Sequence, residues 1–333
     1  MPPARETAPQ LPADRFPLPG PPEDHAATPS LTDPRFAHVC FHGAAETSPT
    51  IVVDPFTPSV PYGTPLKDLV ESEPHPPEDL GFVRRLLRQA GLRAEGYRAT
   101  PLVRRIPACL RALRVTTKEA AERLVADDPA KLQIAVNALL IGTTSFFRDA
   151  ATFGLLEEAI VPLLVEHSPL PRVWSVACSD GSELVSIALL FARYGAAGRC
   201  RFLGTDCRPS AIASAKKGHY SQEAIASMPA DLGERYFENV GKARRLIPAI
   251  SSRIIWKVSD ILSDTEPGLW DLILCRNLAI YLGPAVTQQL WLKLADALTP
   301  GGHLVVGKAE NPQLPGLERV GPCVFRKSST FRP

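Results

Sequence analysis

A chain of 333 residues is long for one small domain and points to about two. Hydrophobic residues make up 45%, enough for a core, while a net charge of +2 excludes any whole-chain electrostatic case for nucleic acid or a membrane surface. The seven cysteines are scattered without a CxxC pair, which argues against a disulfide framework or a zinc site and for reduced thiols.

Eighteen of the 34 prolines fall in the first 77 residues, among Ser, Thr, Ala, Asp and Glu. Such a stretch cannot sustain helices or ladders, so residues 1–77 are expected to be a disordered tail, with IVVD at 51–54 its only strand-like piece. The opening MPPARETAPQ lacks the basic segment and apolar run of a signal peptide, and no stretch approaches about 18 unbroken apolar residues. A soluble cytoplasmic protein, without membrane insertion, is expected.

From Glu78 the texture becomes helical. GFVRRLLRQAG places Phe82, Val83, Leu86, Leu87 and Ala90 at helical spacing with Gly91 as a stop, and LVRRIPACLRALR follows. TTKEAAERLVA, with Thr117 as an N-cap, leads to DPAKLQIAVNALLI, and a helix through Phe153, Leu156, Ile160 and Leu163 closes a helical domain over 78–165. After Pro171 the pattern is strand, turn, helix: RVWSVAC, SDGSE, LVSIALLFARYG, then CRFLGTD and PSAIASAKKG. RIIWKVSD, WDLILC and HLVVG are further strands, PAVTQQLWLKLADAL is the helix before the last of these, and LERVG with CVFRK supplies a closing hairpin. This alternation predicts an α/β domain over 166–333 built on a parallel sheet. Residues 220–252 interrupt it; a short helix with RYF and then small antiparallel strands through RRLIPAI are expected there.

Parallel sheets bind ligands at the carboxyl ends of their strands, beside the point where strand order reverses. Those ends carry Cys178 to Glu183 after the first strand, Thr205 and Asp206 after the second, Ser259 and Asp260 after the third, and Arg276, Asn277 and Tyr281 after the fourth. The first turn holds one glycine rather than GxGxxG, which argues against a pyrophosphate loop. Asp206, 25 residues beyond Gly181, is placed to accept both hydroxyls of a ribose. An adenosine without pyrophosphate fits better than a dinucleotide, and S-adenosylmethionine is such a ligand.

LLIGTTSFFRDAATFGLLEEAIVP, RVWSVACSDGSELVSIALL, FLGTDCRPSAIASAKKGHYS, ERYF, WDLILCRNLAIYL and GHLVVGKAE, in this order and spacing, resemble the chemotaxis receptor glutamate O-methyltransferases, the CheR-type enzymes. The similarity runs from about Phe82 to about Glu310. It implies a Rossmann-like class I methyltransferase with an N-terminal helical domain and a small inserted β-subdomain, moving the methyl of S-adenosylmethionine to glutamates of a receptor's cytoplasmic helices. By the same resemblance Thr144, Arg148, Glu183, Asp206, Asp260, Ile261, Arg276 and Asn277 are cofactor-pocket positions, and the insertion resembles a subdomain that holds a receptor's C-terminal peptide. Arg148, by a bidentate contact to the cofactor's or the substrate's carboxylate, and Tyr281, beside the transferring methyl, are the catalytic candidates.

A carboxylate nucleophile, ionised at neutral pH with an ordinary pKa of about 4.3, needs no general base, which agrees with the absence of a Ser-His-Asp or Cys-His set in these loops. Between Phe82 and Arg114 nine arginines, Arg104 and Arg105 among them, face one acidic residue, Glu95. They suit a glutamate-rich helical partner, though at least half are expected to be solvated helix faces. Asp180 reads rather as a helix cap than as a ligand. The chain departs from the family at Gly142, where an asparagine is usual, at Ser182-Glu183-Leu184-Val185 and at GKAE. Those departures leave two other readings open: a non-catalytic S-adenosylmethionine-binding scaffold or sensor, or a methyltransferase acting on another protein or a small acid.

Overall fold

The structure, a computed structural model, describes residues 76–264 and 266–329. The expected tail as far as residue 75, IVVD included, lies outside the described residues.

Helix α1 (Pro77–Gln89) starts on a proline whose missing N–H costs nothing there and carries Glu78 and Asp79 in its first turn, where the helix dipole favours negative charge. It buries Phe82, Val83, Leu86 and Leu87. LVRRIPACLRALR does not continue as one helix: α2 (Ala99–Val103) and α3 (Ile106–Leu113) are separated at Arg104 and Arg105, because Pro107 belongs in the first turn of a new helix. Helix α4 (Lys118–Asp127) is capped by the Thr117 hydroxyl, which accepts the Ala120 N–H at 3.2 Å. Helix α5 (Pro129–Leu139) is capped by Asp128, whose carboxylate accepts the N–H of Ala130 at 2.8 Å. Helices α6 (Ala150–Leu155) and α7 (Val161–His167) are joined through a π-helical turn at Leu156–Ile160.

The larger sheet contains β1 (Arg172–Val176), β2 (Arg201–Asp206), β6 (Ile254–Val258), β7 (Trp270–Cys275), β8 (Leu298–Val306), β9 (Leu317–Gly321) and β10 (Val324–Lys327). Its order is β6-β2-β1-β7-β8-β10-β9. The first five of these neighbours pair in parallel, while β10 runs antiparallel to both β8 and β9. Helices α8 (Ser182–Arg193), α9 (Pro209–Lys217) and α13 (Pro284–Ala297) form the crossovers. Strand order reverses between β1 and β7, so the loops after these strands open on a common crevice.

Strands β3 (His219–Ser221), β4 (Phe237–Val240) and β5 (Ala243–Leu246) form a separate antiparallel sheet, with α10 (Gln222–Ala226) and α11 (Ala230–Tyr236) between its first two strands. The expected strand through RRLIPAI ends at Leu246; Pro248–Ser251 instead form the short helix α12, again begun by a proline at its first position. No helix among the described residues is long and apolar enough to cross a membrane.

His303 stands in the middle of β8, fully buried, with both ring nitrogens lacking a hydrogen-bond partner. Burial, aided by Arg326, lowers its pKa from the ordinary 6.5 to about 4. Between those values the unfolded chain holds a proton that the folded chain does not, so stability falls as pH falls through this window. Urea titrations should show about 2 kcal/mol lost between pH 7 and pH 5 on account of this residue, a difference that His303→Leu removes.

Candidate cofactor and substrate site

The crevice is a cavity of roughly 860 Å³, counting its open mouth. Its apolar wall comes from the helical part: Tyr97, Leu102, Leu139, Leu140 and Ile141. Its polar wall is Thr144, Arg148, Glu183, Asp206, Arg276, Asn277 and Tyr281. Seven sequence-predicted residues therefore meet at one cavity, drawn from three strand ends and the segment TSFFRD. The helical part is pinned to that wall beside Tyr281, whose carbonyl accepts the Arg98 N–H at 2.8 Å, while Gly283 N–H donates to Gly96 O at 3.1 Å.

Asp260 and Ile261 do not line the cavity. The Asp260 carboxylate accepts the Leu262 N–H at 3.0 Å and the Ser263 hydroxyl at 3.4 Å within its own loop and a backbone hydrogen bond from Arg93 of the helical part, and burial raises its pKa. Ile261 is buried in the core. Asp180 also serves its own turn, accepting the N–H and hydroxyl of Ser182 at 2.9 and 2.7 Å.

In TSFFRD the two phenylalanines are anchors. Phe146 packs edge-on against Tyr220 and Phe237 of the inserted sheet, with centroids 4.8 and 5.8 Å away, and Phe147 packs on Phe153 at 5.3 Å. The turn they hold is strained, since Phe147 and Asp149 take φ of 49° and 67°. Between them Arg148 donates to Thr143 O at 3.1 Å and joins the cavity wall. Ala177, Ser179 and Asn277, on the opposite wall, also have positive φ at 54°, 53° and 59°. Each such non-glycine residue costs on the order of 1–3 kcal/mol, and strain gathered at one crevice is the mark of a site held in shape by its surroundings.

Arg276, with its side chain only 2% exposed, is the hub of the polar wall. It donates to Asp149 Oδ2 at 2.5 Å, to Glu183 Oε2 at 3.2 Å and to Arg148 O at 2.9 Å. Burial raises the Glu183 carboxyl despite Arg276 and the Ser175 hydroxyl, which donates to it at 2.9 Å. Burial acts on Asp149 too, but Lys308 and Arg276 outweigh it and hold that carboxyl below its usual value.

Four contributors were not singled out from the sequence. Asp149 and Lys308 extend the Arg276 bridge, their own pair being 2.9 Å long. Glu310 lies behind Asn277 and accepts three backbone N–H groups. Arg208 lines the cavity and pairs with Asp206 at 3.0 Å. For Lys308 and Glu310 the available signal was GKAE itself; for Arg208, a charged residue two positions after the strand-end aspartate.

The residues fit an adenosyl cofactor with a charged amino-acid tail. An apolar wall faces a strand-end carboxylate, and Arg276 keeps a buried Nε with no partner among the described residues. The family model described as CheR methyltransferase, SAM binding domain, matches residues 142–323. This chain belongs to the CheR methyltransferase family. A chemotaxis protein methyltransferase of Listeria innocua is 30% identical to it over 253 residues, covering 75% of this chain and 97% of that one. The chemotaxis protein methyltransferase of Listeria monocytogenes gives the same identity and coverage, and chemotaxis protein methyltransferase 2 of Pseudomonas aeruginosa is 30% identical over 246 residues, covering 70% and 86%. The CheR chain is thus an S-adenosylmethionine-dependent methyltransferase, a Rossmann-like α/β enzyme with S-adenosylmethionine as its cofactor.

Proposed function

We propose that this CheR-family protein methylates glutamate carboxylates of chemotaxis-type receptors in the cytoplasm. The supporting observation is the shortage of proton acceptors in the cavity. Among the described residues its wall has no histidine; burial pushes the Cys178 thiol well above its ordinary value and the Cys207 thiol up to about 12. Glu183 and Asp206 are both engaged by guanidinium groups. A site so built suits a nucleophile that arrives ionised, and a carboxylate does so at neutral pH.

Bound there, S-adenosylmethionine supplies a methyl on a positively charged sulfur, which a carboxylate can take up with no proton to dispose of. Asp206 would hold the ribose hydroxyls, and Thr144 with the Arg276 bridge would hold the amino-acid end. Arg148 aligns the incoming carboxylate, and Tyr281 stands beside the methyl path. Orientation of this kind can supply up to about 7–11 kcal/mol of the barrier. Arg104, exposed between α2 and α3, belongs to the face offered to acidic receptor helices; Arg105 is partly committed inward, donating to Ala138 O at 3.0 Å.

Labelled S-adenosylmethionine and receptor-bearing membranes should give base-labile methyl esters; alkali-stable label would overturn the glutamate assignment. Arg148→Ala should lower kcat/KM roughly ten- to hundredfold, the loss of one charge-assisted contact, and Tyr281→Phe about tenfold. Both variants should melt like the parent, and full activity in both would remove them from the site.

A further inference from the structure

Asp206 has its acceptor capacity filled by the protein. Its Oδ1 accepts the Arg208 backbone N–H at 2.9 Å and Arg208 Nε at 3.0 Å; its Oδ2 accepts the Ser179 N–H at 2.9 Å and Arg208 Nη2 at 3.1 Å. An ionised carboxylate offers about four lone-pair sites, so two backbone and two guanidinium donors leave none over. The Asp206 side chain is 3% exposed and that of Arg208 11%, so the pair lies largely out of water. Two hydroxyls of a ribose can reach this carboxylate only if the two guanidinium contacts leave.

The seat of that guanidinium is made by Gly142. A Cβ built there would come within 2.6 Å of Arg208 Cζ and closer still to both terminal nitrogens, and its three nearest neighbours are all atoms of Arg208. The same guanidinium spans neighbouring loops, with Nη1 3.5 Å from Leu140 O and Nη2 3.4 Å from Ser179 Oγ, while Ser179 Oγ donates to Gly142 O at 2.6 Å. The loss of a side chain at 142 and the presence of an arginine at 208 are thus one feature.

We propose that Arg208 competes with the cofactor's ribose for Asp206: seated over Gly142 it closes the carboxylate, and cofactor binding replaces its two side-chain hydrogen bonds with two from the ribose hydroxyls while the backbone pair stays. This rests on the reading of Asp206 as the ribose acceptor. Its consequence is opposite to that of a supporting residue, because removing a competitor tightens binding.

Calorimetric titration of the full chain with S-adenosylhomocysteine tests it. Arg208→Met should bind about tenfold more tightly, the scale of one charge-assisted hydrogen bond. Gly142→Ala, which keeps the arginine but fills its seat, should also tighten binding, and the double variant should bind no more tightly than Arg208→Met alone. Unchanged or weaker binding in Gly142→Ala overturns the proposal, and that variant decides the matter if Arg208→Met proves unable to fold. Asp206→Asn separates the two ideas. If it binds like the parent, the ribose reading fails; if it binds more weakly while neither other variant tightens, the reading stands and the competition fails.

Discussion

Replacing Arg276 with alanine should lower the free energy of unfolding by about 3–5 kcal/mol, the range found when one partner of a buried ion pair is removed. Its two carboxylates are not left equal. Asp149 keeps Lys308 at 2.9 Å, and Lys308 is 71% exposed, so that end of the bridge can relax towards solvent. Glu183, its side chain 11% exposed, keeps among the described residues only the Ser175 hydroxyl. Its pKa is already raised by burial with Arg276 opposing the shift, so loss of the arginine raises it further. A carboxyl whose folded pKa lies above its unfolded value is most compatible with folding below the unfolded pKa and least compatible above the folded one. The deficit should therefore be larger at pH 8 than at pH 5, and Glu183→Gln in the same chain should recover part of it. Arg276→Lys should recover little, because one ammonium cannot serve Glu183, Asp149 and Arg148 O together. Urea titrations at the two pH values check this; a deficit below about 1 kcal/mol, or one without pH dependence, would show that Glu183 is not held by this arginine.

The bridge also marks where the sequence stops being readable. The strands VWSV, FLGT and LILC announce themselves as short, mostly apolar runs, and α1 and α4 through their spacing and caps, because such signals are local. Arg276 and Asp149 are 127 positions apart, and nothing near either names the other. The same holds for the left-handed turn residues: Phe147 and Ala177 are poor candidates for positive φ, and only tertiary packing puts them there. Asp260 shows two local signals in competition. A strand-end aspartate is also a good turn residue, and its carboxylate serves Leu262 N–H rather than the cavity. At Gly142 the motif shows a missing side chain, but what occupies the space is 66 positions away at Arg208.

Glu310→Ala should cost about 3–4 kcal/mol and weaken S-adenosylhomocysteine binding, although Glu310 does not line the cavity. The Glu310 residue is 6% exposed, and its carboxylate ties the loop after β7 to the loop after β8. Its Oε2 accepts the N–H of Asn277 at 2.8 Å and of Gly307 at 2.6 Å, and its Oε1 that of Ala279 at 2.7 Å. These bonds hold Asn277 at φ 59° and fix the turn that carries Arg276 and Tyr281 to the cavity wall. The fit is close: a Cβ on Gly307 would lie 2.8 Å from both Asn277 Nδ2 and Glu310 Oε2. Alanine leaves three donors unpaired, each costing about 1–3 kcal/mol before water enters the gap and returns part of it. Glutamine is not a rescue, because it keeps one acceptor oxygen and turns an NH2 group towards N–H donors that need an acceptor; about 2 kcal/mol should be lost there. Hydrogen exchange separates local from general loss, since the amides of Asn277, Ala279 and Gly307 should lose protection in Glu310→Gln well before those of β1 and β7. Uniform loss across the sheet would mean that Glu310 supports the core rather than this loop, and the weakened binding would then follow from unfolding instead of from a loosened wall.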